Sequence, residues 1–161
     1  MTMPLSTAFA RSLATALLVL STGLAGAADD PTPPAGDKLA AARTLIQESK
    51  WAAAIEELKK VGDSGSADWN NLMGYSHRKA KAPDLAAAER YYGEALRLDP
   101  KHKGALEYSG ELYLMLGDLA RAEQRLAALD KVCLLPCDEF KDLKGAIERF
   151  KANGNRHVPK P

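Results

Sequence analysis

The chain has 161 residues with 22 Lys or Arg and 21 Asp or Glu, so its formal charge is +1. Near-neutrality argues against nucleic-acid binding and against a polybasic membrane-surface role, because both need clustered positive charge. Two cysteines are too few for a small disulfide scaffold, and the core must therefore come from apolar packing.

Residues 1–27 have the layout of an export signal peptide. Arg11 precedes an apolar run from Leu13 to Leu24, and the small residues 25–27 suit a signal peptidase. We expect cleavage after Ala27 and a periplasmic or secreted protein, with an uncleaved anchor as the alternative. The run is shorter than the roughly 20 apolar residues of a membrane-spanning helix. The 134 residues from 28 to 161 carry 21 basic and 21 acidic side chains.

Residues 28–37 are predicted to form a flexible leader, because three prolines and the absence of apolar periodicity oppose a helix. A helical repeat domain is predicted from 38 to 151, where Ala and Leu recur at helical spacing and no segment alternates as a strand does. A flexible tail is predicted at 152–161.

A period of 34 residues runs through the helical domain. Three segments beginning at Trp51, Leu85 and Leu119 align without gaps. Their matching positions lie at i, i+3, i+7 and i+10, which is one face of a helix. We call each set of three matching residues a column, and Trp51, Leu85 and Leu119 form the first. The other three columns are Ala54, Ala88 and Ala122, then Leu58, Tyr92 and Leu126, then Val61, Ala95 and Leu129. Such repetition predicts stacked helical hairpins.

The helix before each of these segments repeats less strictly. Gly74 and Gly110 occupy similar places, and Tyr113 follows the second of them. Gly117 can close one helix in a left-handed conformation, after which Asp118 can cap the next. Asp84 is predicted to cap the second helix of the middle hairpin in the same way.

This pattern resembles the tetratricopeptide repeat over roughly residues 38 to 135, most specifically at 71–100, which contains Gly74, Ala88, Tyr92 and Pro100. The resemblance implies an all-α, right-handed α-α superhelix of about three helical hairpins. The last copy departs from the family's pattern at two places. Leu129 stands where a small residue is usual, and the proline that usually follows the second helix comes later, at Pro136. The repeat core is predicted to contain Trp51, Ala54, Leu58, Gly74, Leu85, Ala88, Tyr92, Ala95, Gly110, Tyr113, Leu119, Ala122 and Leu126.

A capping helix is predicted after the third hairpin, at Glu139 to Phe150, because Phe140, Leu143 and Ile147 fall on one apolar face. Cys133 and Cys137 lie between that hairpin and the cap. We interpret them as a structural disulfide, which export would permit. Redox exchange or Cu(I) binding by two thiolates is the alternative.

No catalytic arrangement is found in the sequence, which lacks zinc, phosphate-loop and nucleophile-elbow motifs. His77, His102 and His157 are interpreted as surface residues, and carboxylates among Lys and Arg as a solvated face. No enzyme activity, metal or cofactor is therefore predicted.

The resemblance implies binding of a peptide segment on a concave face made by the first helix of each hairpin. Charge changes sign along that face, and Tyr75 is the expected anchor. The predicted contact residues are Arg43, Gln47, Asn71, Tyr75, Arg78, Glu107, Glu111 and Leu114. The predicted function is a non-enzymatic protein-interaction adaptor of the bacterial cell envelope, able to self-associate through an exposed end. The rival is a periplasmic thiol-redox or copper-handling protein that uses Cys133 and Cys137.

Overall fold

The computed structural model describes residues 36–157; the predicted signal peptide at 1–27 and most of the predicted leader lie outside them. The described residues form seven helices and no strand. Their bounds are α1 Ala40–Gln47, α2 Trp51–Val61, α3 Ala67–Lys79, α4 Leu85–Leu98, α5 Lys103–Met115, α6 Leu119–Val132 and α7 Asp138–Ala152. Between 36 and 157 no helix is long and apolar enough to cross a bilayer.

The helices pack as successive hairpins, α1 with α2, α3 with α4 and α5 with α6. Each later first helix also packs on the hairpin before it, as α5 does on α3 and α4. Helix α7 continues this arrangement, since it packs on both α5 and α6. The predicted all-α fold of tetratricopeptide-like hairpins with a capping helix is confirmed, and α7 stands where the first helix of a fourth hairpin would be.

The predicted helix caps form as expected. The carboxylate of Asp84 accepts the backbone N–H of Ala87 at 2.8 Å, and that of Asp118 accepts the N–H of Arg121 at 3.0 Å. Gly117 has a φ of +78°, the left-handed conformation that ends α5. These local signals fix where α4 and α6 begin.

His102 does not lie free on the surface, as the sequence suggested, but caps α5. Its Nδ1 accepts the N–H of Ala105 at 3.0 Å, which leaves Nε2 to donate to the Asp68 carboxylate at 2.8 Å. The side chain is only 13% exposed. The prediction was wrong because the sequence does not show that Asp68, in α3, lies beside the start of α5.

The repeated columns face inward as their spacing indicates. Six of the eleven column residues other than Leu129 are fully buried or nearly so: Ala54, Leu58, Ala88, Tyr92, Ala95 and Ala122. Leu129 is buried as well, in a cluster that includes Leu143 and Phe150 of α7. The others are half-buried, namely Trp51, Val61, Leu85, Leu119 and Leu126.

Gly74 and Gly110 lie where a neighbouring helix approaches closely. A Cβ on Gly74 would lie 2.7 Å from the ring of Tyr92, in α4 of the same hairpin. A Cβ on Gly110 would lie 2.5 Å from a terminal methyl of Leu143, in α7. Both helix pairs therefore depend on the absence of a side chain at the crossing.

The indole of Trp69, in α3, is buried and links two hairpins. Its N–H donates to the carbonyl of Leu58, in α2, at 2.7 Å. The buried tryptophan thus satisfies its polar group within the apolar cluster formed by α1, α2 and α3.

Cys133 and Cys137 form a disulfide with a Cα–Cα distance of 5.8 Å. Cys133 directly follows α6 and Cys137 directly precedes α7. The bond therefore ties the capping helix to the third hairpin. Between the cysteines, Leu134 is 99% exposed and Leu135 is 80% exposed.

Candidate functional site: a cleft on the first-helix face

One cleft of about 230 Å³ opens between the C-terminal halves of α3, α5 and α7. We call it the first-helix cleft. It is smaller than the roughly 300 to 1,000 Å³ of typical small-molecule pockets. Its lining residues are Arg78, Lys79, Ala80, Pro83, Glu111, Leu114, Met115, Ala146, Arg149, Phe150 and His157.

The cleft combines an apolar floor with a mainly cationic rim. Leu114 and Phe150 are 1% and 2% exposed and form the base of the floor, on which Met115 lies half-buried. The rim carries the cations of Arg78, Lys79 and Arg149 against the single carboxylate of Glu111. This composition suits a bulky aliphatic side chain with a carboxylate close to it.

Arg78 is the most deeply buried charged group of the cleft, at 6% exposure. Its Nη1 donates to Glu111 at 2.8 Å and its Nε donates to the hydroxyl of Tyr92 at 3.3 Å. The guanidinium carbon lies 5.4 Å from the ring centroid of Tyr75 and 5.5 Å from that of Tyr108. Two bonded partners and two ring faces hold this cation in place.

Burial has a large effect on the hydroxyl that Arg78 contacts. Tyr92 is 1% exposed, and its burial raises the pKa of the phenol well above the ordinary value although the nearby Arg78 lowers it. Tyr92 therefore stays neutral and accepts the Arg78 N–H. The same tyrosine packs against Gly74, so one residue supports both the hairpin crossing and the cleft.

Arg149 brings a second cation from α7. Its Nε is buried and has no hydrogen-bond partner among residues 36–157.

Glu107 lies one turn before Glu111 on α5 and is only 7% exposed. Burial, together with the carboxylates of Glu111, Asp142 and Glu139, raises the pKa of its carboxyl to about 8 against the opposing effect of Arg78. The interpretation of the helix carboxylates as a solvated face is therefore wrong for Glu107. Helix α7 covers this part of α5, which the sequence alone did not show.

The eight predicted contact residues do not form one open face. Arg78, Glu111 and Leu114 line the cleft, but Leu114 lies in the core beneath α7 and the charges of Arg78 and Glu111 pair with each other. The predicted change of charge sign along the face is thus largely cancelled inside the protein. Asn71, at 7% exposure, has a buried Oδ1 without a partner in the described part of the chain.

The remaining predicted residues lie away from the cleft. Arg43 pairs with Asp68 at 3.1 Å and with Asp37 at 3.4 Å, while Gln47 is exposed at the end of α1. Tyr75 is half-buried, and its ring lies 5.7 Å from Trp51 and 4.6 Å from Tyr108 between centroids. Tyr75 acts on the cleft by packing on Arg78 and does not line it.

The contribution of α7 was missed in the sequence, although a signal for it exists. Arg78 follows Gly74 by four residues, Leu114 follows Gly110 by four, and Arg149 follows Gly145 by four. All three second members line the cleft. Extending the glycine comparison to Gly145 would have placed α7 on the binding face as well as at the end of the array.

The cysteine pair is the other feature for which the sequence offered a chemical role. Both cysteines are bonded to each other, and residues 36–157 contain no group of three or more His, Cys, Asp or Glu placed to hold a metal ion.

Comparison with known proteins identifies a family for part of the chain. Residues 80–132 match the family model of the tetratricopeptide repeat, a stretch that takes in α4, α5 and α6. No curated protein matches the sequence. The matched residues carry Glu111, Leu114 and Met115 of the cleft.

Proposed function

We propose, on the premise that the chain belongs to the tetratricopeptide repeat family, that it is an adaptor that binds a segment of another protein in the first-helix cleft. Proteins of this family mediate protein–protein interaction and are typically non-enzymatic scaffolds. The observation that carries the proposal is the cleft itself, which three successive first helices line with an apolar floor and a cationic rim.

The size of the cleft supports a side chain of a protein as its occupant. About 230 Å³ holds one or two aliphatic side chains but little more. Arg78 is already oriented by Glu111, Tyr92 and two tyrosine rings, so binding costs little side-chain entropy. A preformed cleft of this kind favours recognition of a short segment.

The cell envelope is the proposed location. The apolar run after Arg11 and the small residues at 25–27 support export, and the disulfide between Cys133 and Cys137 is of a kind that persists in an oxidising compartment. N-terminal sequencing of protein recovered from the periplasm of a bacterial host should begin at Ala28. A sequence that begins at Met1 in the membrane fraction would instead indicate an uncleaved anchor.

Affinity capture from an envelope extract tests the adaptor function. Arg149→Glu reverses a charge inside the cleft and should abolish capture of any partner that wild type retains. Lys101→Glu makes the same charge change at an exposed position outside the cleft and should leave capture intact. Equal capture by both variants would contradict binding in the cleft.

Replacement of both cysteines by serine separates the adaptor from the rival thiol-redox or copper-handling protein. An adaptor should keep its partner and lose some stability. Loss of every function in a variant that still folds would favour the thiol-dependent protein.

A further inference from the structure

The loop between the cysteines presents an apolar pair to solvent. Leu134 and Leu135 are 99% and 80% exposed, whereas the next most exposed large apolar side chain among residues 36–157 is Leu116, at 45%. The disulfide closes the loop across a sequence separation of 4, so the two leucines cannot fold back into the core. An exposed apolar pair held in this way is suited to insertion into an apolar cleft.

The loop and the first-helix cleft are complementary in charge as well as in polarity. Asp138 and Glu139 directly follow the loop, and the Asp138 side chain is 92% exposed although it pairs with Lys141. The cleft offers an apolar floor surrounded by the cations of Lys79 and Arg149, beside the buried Arg78–Glu111 pair. Two aliphatic side chains followed by two carboxylates are therefore the kind of segment that this cleft fits.

The loop cannot reach the cleft of its own molecule. Leu134 and Leu135 precede the first turn of α7, whereas Arg149 and Phe150 lie in its last turn. Arg149 follows Cys137 by twelve positions, which corresponds to about 18 Å along the helix. A loop closed by a disulfide spans no such distance, so a Leu134–Leu135 loop that enters the cleft has to come from another molecule.

We propose that the Leu134–Leu135 loop of one copy docks into the first-helix cleft of a second copy. This inference rests on the proposed function, because it names a partner for the same cleft. The contact is head-to-tail: each copy offers one loop and one cleft, and the two surfaces differ. A head-to-tail contact that does not close into a ring extends into chains as the concentration rises, and this is the arrangement that we propose. The interface is small, and the association is accordingly weak and concentration-dependent.

Sedimentation velocity over a wide concentration range tests the inference. The mass-average of wild type should rise with concentration and pass beyond the dimer. Leu134→Ser combined with Leu135→Ser should stay at the monomer mass, as should the cleft variant Arg149→Glu. Leu116→Ser is the matched control, because it removes another exposed leucine outside the loop and should behave as wild type. Should Arg149→Glu fail to fold, Lys79→Glu serves as a cleft variant at an exposed position.

Mixing the two variants gives the decisive result. The loop variant keeps an intact cleft and the cleft variant keeps an intact loop, so an equimolar mixture should form a heterodimer and nothing larger. A mixture that stays monomeric, a loop variant that associates as wild type does, or a wild type that is monomeric at every concentration would overturn the inference. A wild type that stays monomeric but binds phosphatidylcholine–phosphatidylglycerol vesicles through the two leucines would also overturn it. The partner of the loop would then be a membrane and not a second copy.

Failure here is distinguishable from failure of the proposed function. If wild type stays monomeric while Arg149→Glu still loses a captured protein, the cleft binds a different segment and only this inference fails. If Arg149→Glu changes neither capture nor association, both fail.

Discussion

The middle hairpin and the C-terminal end of the array use the same kind of glycine for different contacts. Gly74 lets α3 approach Tyr92 within its own hairpin, whereas Gly110 lets α5 approach Leu143 in α7, beyond its hairpin. The middle contact joins helices connected by a short turn. The second joins α5 to a helix that also depends on a disulfide and lies over a buried carboxyl group, that of Glu107.

The difference shows that a repeated residue need not have a repeated role. A small side chain only makes room, and the next helix to pack decides what fills the space. We therefore expect variants in the middle hairpin to reduce the stability of the whole array. Variants near α7 should destabilise the C-terminal end first. The stability of that end should also depend on reductant, through the disulfide, and on pH, through Glu107.

Arg78→Ala should give the largest loss, about 3–5 kcal/mol of unfolding free energy, because removing one partner of a buried ion pair leaves the other uncompensated. Glu111 and the Tyr92 hydroxyl would both lose Arg78 as their partner. Urea unfolding measures the loss. The control is Arg97→Ala, which breaks an exposed pair with Glu94 and should cost at most about 1 kcal/mol. Equal losses would show that Arg78 is not held as the structure has it.

Gly74→Ala should destabilise the protein by about 1–3 kcal/mol, because the new methyl group meets the buried ring of Tyr92. Gly110→Ala should have a smaller effect, since it meets the ends of the Leu143 side chain, which can rotate more easily than a ring can move. Gly93→Ala is the control: nothing lies within 4 Å of its Cβ position, and replacing a helical glycine there should stabilise by about 0.5–1 kcal/mol. Calorimetric melting would separate the three variants, and a larger loss for Gly110→Ala would reverse the comparison.

Cys133→Ser with Cys137→Ser should lower the unfolding free energy by about 2 kcal/mol, the loop-closure value for so short a loop. The loss should be confined to the C-terminal end, because the bond joins only α6 to α7. Hydrogen exchange should show faster exchange in α7 with little change in α3 and α4. Uniform acceleration in all helices would contradict a local role.

Glu107→Gln should flatten the pH dependence of stability. Because the pKa of the buried carboxyl is about 8, above the ordinary 4.5, the native state keeps a proton that the unfolded state releases between these values. Stability therefore falls as pH rises from about 4.5 to 8, by at most about 1.4 kcal/mol per pH unit from this group. The difference between wild type and variant isolates Glu107 from other titrating groups. Parallel stability profiles would show that Glu107 is not buried in this way.

Local and periodic features were the ones that the sequence predicted well. Helical geometry explains these features, because residues spaced three or four positions apart lie on one face of a helix and a cap residue directly precedes its helix. They are the column Ala54, Ala88 and Ala122, the caps at Asp84 and Asp118, and the apolar face of α7. They concern contacts between neighbours in the chain or between copies of one repeat. The family match over residues 80–132 covers Ala88, Ala122 and both of these caps.

The cleft was predicted less well, because its residues are defined by helices that meet across the array. Leu114 and Glu107 would be surface residues of α5 if only the first three hairpins were present. Both are buried because α7 packs over that part of α5. From the sequence, Arg78 has the position of an exposed binding residue on α3. In the structure its positive charge is neutralised by Glu111 of the next hairpin. Each depends on a contact between helices whose relative placement the period of 34 did not specify.

The two tryptophans of the sequence both lie toward one end, Trp51 in α2 and Trp69 in α3. Intrinsic fluorescence therefore reports on the N-terminal hairpins. The indole of Trp69 is buried and donates its N–H to the Leu58 carbonyl. Far-ultraviolet circular dichroism sums over all the helices. A protein that frays from α7 will thus lose ellipticity before its emission shifts, and the gap between the two curves measures how independently the C-terminal end opens.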